Sequence, residues 1–213
     1  KGRSKWRDEQ HEKDALYLLR HTTAHVMAEA IQRLWPDTQL AYGPPLDNGF
    51  YYDLQLDTPI SADDFSKIEA EMKKIVDEGR PLVRYELDID TGMSKLYDED
   101  NKYKIDNAVK ATKNGAQSLS FYMTGEAHGF QPWDQLDTAP KIDAWEDLCQ
   151  GPHVDHTGRI GAFKVMSIAQ SHWHGDVTSD AFQRVYGTAF FTAADLEDHL
   201  LKLEEAKQRD HKN

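Results

Sequence analysis

The pattern that most constrains this chain lies between residues 12 and 35. Leu16, Leu19, Val26, Met27, Ala30, Ile31 and Leu34, with Thr23 among them, recur at steps of three and four, and Pro36 follows. That spacing predicts a long amphipathic helix, stopped by a proline that cannot continue it. A stripe of that length must be covered by the rest of the chain.

The remaining elements supply the cover. Gln39 to Tyr42 reads as a strand. After Gly43-Pro44-Pro45 and the turn Asp47-Asn48-Gly49, the aromatic run Phe50 to Leu54 reads as another. Ser61-Ala62-Asp63-Asp64 resembles a capping box. It opens a second helix, with Phe65, Ile68, Met72, Ile75 and Val76 at helical spacing, that ends near Gly79. Further strands are predicted at residues 82–87, 119–123, 161–168 and 182–191, the last with a bulge at Gly187. Residues 90–107 hold one or two short helices, and 111–115 a loop. Thr192 to Asp195 caps a final helix with Leu196, Leu200, Leu203 and Ala206 on one face. Without a regular βαβ rhythm the fold class is α+β, a mixed or antiparallel sheet packed with the long N-terminal helix.

Composition narrows the function. Of 213 residues, 39% are apolar and 29% charged, a globular composition. No apolar run approaches the roughly 18–20 residues of a membrane helix, so no membrane partner is expected. The single cysteine, Cys149, excludes an internal disulfide framework and fits a cytoplasmic setting. With 37 acidic side chains against 25 Lys plus Arg, the net charge of −12 argues against a surface that grips a nucleic acid backbone throughout.

The reactive side chains form two pairs. His21 and His25 stand four residues apart on the first helix, hence on one face. Cys149 and His153 repeat the interval in a segment interrupted by Gly151-Pro152. Three imidazoles and a thiolate make a complete tetrahedral set for Zn²⁺, structural if all four bind and catalytic if one position is left to water. A zinc protease motif would need Glu directly after the first His, and Thr22 stands there, so that reading fails. A metal-free site, with His21 or His25 as base on water, fits equally. Cys149 as nucleophile lacks any supporting motif.

In their surroundings these residues resemble one family. His21-Thr-Thr-Ala-His25, Tyr42-Gly43-Pro44, Asp47-Asn48-Gly49-Phe50-Tyr51-Tyr52-Asp53, Asp147-Leu148-Cys149-Gln150-Gly151-Pro152-His153-Val154 and Arg184-Val185-Tyr186-Gly187-Thr188-Ala189-Phe190 occur in its order. So does the closing stretch from Leu203 to His211. The pattern is similar to the editing domain of threonyl-tRNA synthetases over residues 17–211. The alanyl-tRNA synthetase editing domain shares the two pairs but less of the rest.

The resemblance implies hydrolysis of serine mischarged on threonine tRNA. Serine lacks only a methyl group of threonine, and one methyl discriminates by about 1–3 kcal/mol, so a second site is needed. By the same resemblance His21, His25, Cys149 and His153 form the pocket. Asp147 binds the serine amino group or orders the pocket, Lys104 approaches the ester or terminal ribose, and Tyr52 lines the adenosine site. His21 positions or deprotonates water, and no cofactor is required, Zn²⁺ being optional.

The implied organisation is a charged lead-in over residues 1–15, the editing domain over 16–191, and a linker helix over 192–213 leading to a catalytic domain. The closing pattern points to a piece excised from a larger synthetase, whose remaining domains would be its partners together with the serine-carrying tRNA 3′ end. The alternatives are a freestanding trans-editing deacylase of seryl or alanyl type, a non-catalytic tRNA-end-binding module, and a domain whose quartet only staples the fold with zinc. The acidic charge predicts weak tRNA binding, with a local cationic patch at Lys102 and Lys104. His174 replaces an arginine common in the family, and the segment 110–144 is longer than its pattern.

Overall fold

The computed structural model describes residues 2–125 and 144–212. Helix α1 (Gly2–Leu34) is the spine of the molecule. It begins ten residues before the predicted start and crosses the expected boundary at residue 15 without a break. The reason is physical: residues 9–14 are exposed, so no apolar period marks the helix there.

After α1 come β1 (Gln39–Tyr42), β2 (Pro45–Leu46) and β3 (Gly49–Gln55). Asp47 and Asn48 turn the chain between the paired Leu46 and Gly49. A single 3-10 turn over Ala62–Asp64 leads into α2 (Phe65–Glu78), and the Ser61 N–H donates to Asp64 Oδ2 at 2.9 Å, as the capping-box pattern predicts. Then follow β4 (Leu82–Asp88), α3 (Ile89–Asp98), α4 (Lys102–Lys113) and β5 (Ser118–Thr124). The described chain closes with β6 (Trp145–Leu148), β7 (Ala162–His172), β8 (Ala181–Phe190) and α5 (Ala193–Asp210).

Among the described residues the strands form two antiparallel sheets. One has the order β1-β3-β8-β7 with β2 on β3, and the other is β4-β5-β6. The α+β class is therefore observed. Helices α1 and α2 cover the larger sheet through Leu19, Met27, Ile31, Ile68 and Met72, packed with Phe50, Leu54 and Val185. Helices α3 and α4 cover the smaller through Leu96 and Ala108, packed with Leu119 and Phe121. A third cluster of Ala41, Tyr103 and Phe182, with Trp173 against it, joins the two halves.

Several expectations change. The loop predicted at 111–115 is largely helix, because α4 continues to Lys113 and Thr112 Oγ1 donates back to the Ala108 carbonyl at 2.9 Å. The bulge expected at Gly187 lies on the partner strand instead, between Val165 and Ser167 of β7. Gly187 sits in regular pairing with Phe50, whose ring covers it: a Cβ there would stand 2.5 Å from Phe50 Cζ. In α5 the Thr192 hydroxyl accepts from Asp195 N at 3.1 Å, yet the predicted face is only partly covered, with Leu203 38% exposed. The first part of the segment 110–144 belongs to α4 and β5, while residues 126–143, including Pro132, Trp133 and Pro140, lie outside the described residues. No helix among the described residues is long and apolar enough to cross a membrane.

Candidate functional site

The structure brings the two four-residue pairs together. His21 and His25 project from the buried face of α1, their ring centroids 5.3 Å apart. Cys149 and His153 follow β6, where Gly151 turns the chain with φ 78°. The Tyr122 ring packs on that turn, and a Cβ on Gly151 would fall 2.3 Å from its hydroxyl, so glycine is required twice over. The His153 ring stacks on His21 at 4.0 Å and stands 4.2 Å from His25. Cys149 Sγ lies 3.4 Å from Nε2 of both His21 and His153.

The surrounding hydrogen bonds fix each imidazole. A carbonyl only accepts, so Nδ1 of His21, 3.0 Å from the Pro152 oxygen, carries the proton and Nε2 keeps its lone pair. Thr22 Oγ1 donates its one proton to the Leu18 carbonyl at 2.9 Å. It therefore accepts from Val154 N at 3.0 Å and from His153 Nδ1 at 3.1 Å, which leaves Nε2 of His153 bare. His25 turns Nε2 toward Asp147 Oδ2 at 3.3 Å, and its buried Nδ1 has no hydrogen-bond partner among the described residues. Three nitrogen lone pairs thus meet one thiol, which has a single proton to share.

Burial keeps this cluster uncharged. Desolvation lowers all three imidazoles from their ordinary value near 6.5. The Pro152 carbonyl and Asp147 oppose the effect at His21, while His21 and Lys104 reinforce it at His25. Burial, assisted by Asp147, pushes the Cys149 thiol up to about 12. A neutral thiol is a poor nucleophile, so nothing here supports the Cys149 nucleophile reading.

The same donor set fits a zinc ion. Zn–N bonds near 2.0–2.1 Å and Zn–S near 2.3 Å place tetrahedral N and S ligands about 3.5 Å apart, close to the two 3.4 Å separations here. One ligand atom from each of His21, His25, Cys149 and His153 falls within 4.8 Å of all the others. The orphaned Nδ1 of His25 would find its partner in that ion.

A buried triad stands beside the cluster. Pairing of Asp147 with Tyr122 across β5 and β6 sets its backbone. Its carboxylate accepts from the Tyr52 hydroxyl at 2.7 Å and faces Lys104 Nζ at 2.5 Å, and Lys104 Nζ also donates to Tyr52 Oη at 3.0 Å. Lys104 is 7% and Asp147 6% exposed. Tyr52 is wholly buried, its phenol raised well above the usual range by desolvation and Asp147. Its hydroxyl holds Asp147 and Lys104 together at the edge of the site. Among the described residues Lys102 and Lys104 do not form the expected cationic patch, since Lys104 is buried against Asp147 and Lys102 pairs with Asp180 at 2.5 Å.

His21, His25, Lys104, Asp147 and Cys149 line a cavity of about 440 Å³, bounded further out by Tyr17, Tyr42, Pro44 and Asn107. Thr22 was legible only as the missing glutamate of a protease motif. Its signal was a hydroxyl on a buried helix face, which must find a partner. His174, in place of the family arginine, sits 3.0 Å from Asp106 Oδ2, which also accepts the Trp173 indole N–H at 2.8 Å.

Comparison with known proteins places these residues in context. Residues 120–186 match the domain described as the threonyl and alanyl tRNA synthetase second additional domain. The chain is 38% identical over 193 residues to a threonine–tRNA ligase of Acetivibrio thermocellus, covering 91% of this chain and 27% of that protein. It is 40% identical over 195 residues to the threonine–tRNA ligase of Symbiobacterium thermophilum, with 92% and 27% covered. Threonine–tRNA ligase 1 of Bacillus subtilis is 40% identical over 199 residues, with 93% and 28% covered. The chain thus spans about a quarter of the length of the curated relatives it matches.

Proposed function

We propose that this chain, which belongs with the editing domains of the threonyl-tRNA synthetases, hydrolyses the seryl ester of mischarged threonine tRNA. The observation that carries the reading is the convergence of His21, His25, Cys149, Lys104 and Asp147 on one cavity. That cavity offers a base, a carboxylate and a cation, the three groups an aminoacyl ester calls for. Its partner is the serine-carrying 3′ end of tRNA, presented with the help of the remaining synthetase domains.

Each group has a role that follows from its protonation state. The Asp147 carboxylate receives the serine ammonium. Nε2 of His21, bare because Nδ1 donates to Pro152, holds a water and takes its proton as the water oxygen bonds to the ester carbonyl carbon. The carbonyl electron pair moves to oxygen, beside the Lys104 ammonium. Collapse breaks the bond to the ribose oxygen, which takes the proton back, releasing serine and a free tRNA hydroxyl. The favoured reading requires no cofactor; where His21, His25, Cys149 and His153 hold Zn²⁺, the ion would supply a Lewis acid beside the ester. A pocket that admits serine but not the extra methyl of threonine adds the discrimination that a single binding step lacks.

The test is deacylation of seryl-tRNA(Thr) by the folded chain, with His21→Ala beside it. Turnover that falls at least 100-fold in the variant is expected from loss of a general base. No turnover by well-folded wild-type protein would overturn the reading, and turnover of alanyl-tRNA alone would move it to the alanyl branch.

A further inference from the structure

A second cavity, of about 410 Å³, adjoins the first and shares Tyr42 and Asn107 with it. Tyr51, Asp53 and Arg184 from the larger sheet, Lys110 from α4, His172 at the end of β7 and the turn that carries Trp173, His174 and Gly175 form its other walls. These walls are mostly aromatic and cationic, their one carboxylate, Asp53, being taken up by Arg184, and they are held firmly. Trp173 and His174 pack with ring centroids 4.2 Å apart, and both bond Asp106. Arg184 lies over the Tyr51 ring at 4.0 Å and is fixed to Asp53 by two bonds of 2.8 and 2.9 Å. The Arg184 charge is therefore balanced within the fold, while Lys110 is exposed on α4 and lines the cavity, with the Asp106 carboxylate as a charged neighbour.

Two features of this cavity present aromatic rings to solvent. Tyr42 is 54% exposed, an aromatic face left in water at the point where the cavities meet. His174 adopts φ 55°, a left-handed conformation uncommon outside glycine, and its side chain remains 48% exposed. Backbone held this way by its surroundings marks places where a side chain is being aimed. A cation beside exposed aromatic rings is the chemistry by which proteins take single-stranded nucleic acid, stacking the base and neutralising the phosphate.

We propose that this cavity binds the nucleotide that precedes the terminal adenosine of the tRNA 3′ end. Its base stacks on His174 and Tyr42, and the phosphate joining the two nucleotides lies against Lys110. The proposal rests on the editing reading, because a terminal adenosine in the first cavity leaves its 5′ neighbour to pass Tyr42 and Asn107.

The experiment measures binding of two non-hydrolysable ligands by calorimetry: 3′-serylamido-adenosine, and the same compound extended by a 5′ cytidylate. The dinucleotide should bind between about 5- and about 150-fold more tightly, the range for stacking one base. Lys110→Gln and His174→Asn should each reduce that gain while leaving the mononucleoside affinity unchanged, asparagine being tolerant of the left-handed backbone. Lys110→Gln should also weaken the salt dependence of dinucleotide binding, since the screened ammonium–phosphate attraction is removed. Equal affinities for the two ligands, or a gain untouched by both variants, would overturn the proposal. Unacylated cytidylyl-adenosine separates the two readings, followed by the indole N–H resonance of Trp173. If it shifts that resonance while the seryl ligands fail to bind, the editing reading falls and the subsite stands. If seryl-adenosine binds and the dinucleotide leaves the resonance unmoved, the subsite falls alone.

Discussion

Replacing Asp147 by asparagine tests whether the buried triad is one energetic unit. The substitution keeps an acceptor for the Tyr52 hydroxyl but leaves the Lys104 ammonium, 7% exposed, facing a neutral amide. Removing one partner of a buried ion pair costs about 3–5 kcal/mol, because the survivor is a charge out of water without its counterion. In a domain of this size that lowers Tm by about 6–20 °C. Lys104→Met should lose a similar amount, leaving the Asp147 carboxylate with only Tyr52 and His25. The double variant Asp147→Asn/Lys104→Met removes both charges together, so its loss should fall short of the sum by about 2 kcal/mol or more. Urea unfolding of chelator-washed protein at pH 8, where the imidazoles are neutral in either state, gives the three differences. The m-values should stay unchanged, so that the midpoint shifts report stability. Additive losses, with a coupling below about 0.5 kcal/mol, would refute the reasoning.

Two further outcomes follow from the cluster itself. Thr22→Val removes the hydroxyl that satisfies both Val154 N and His153 Nδ1, and should cost about 1–3 kcal/mol in urea unfolding; Thr22→Ser should recover most of it, and equal losses in both would show that packing alone is felt. Acid should destabilise the metal-free protein below pH 6.5. Burial holds His25 and His153 well below their ordinary value, so the unfolded state binds more protons there and stability rises with pH. Each imidazole kept neutral at pH 5 removes about 2 kcal/mol, hence about 4 kcal/mol for the pair relative to pH 8. Thermal unfolding that is flat across that interval would contradict it.

The sequence was legible where periodicity and local chemistry agree. Ile68, Met72 and Ile75 repeat at helical spacing, and all three are buried. It was illegible where contact partners are distant in the chain. Strand β6 has four residues and no alternation of its own, and is defined by its pairing with β5. The quartet could be read from two four-residue intervals, because each interval sets its own geometry. The Lys104–Asp147–Tyr52 triad joins three elements separated by tens of residues, so charge counting mistook Lys104 for a surface cation. The tautomers of His21 and His153 were likewise out of reach, since they depend on contacts that span 131 residues.

The site is divided between two separately cored halves. His21 and His25 ride on the helix that covers the larger sheet, while Lys104 and Asp147 belong to the smaller one. Neither half alone brings the His21 imidazole together with the Lys104 ammonium. Under the proposed hydrolysis, a nascent or partly unfolded chain lacks the assembled set and is expected to be silent toward aminoacyl esters. The set is complete only when the halves dock through Ala41, Tyr103 and Phe182, so the proposed hydrolysis would report complete assembly.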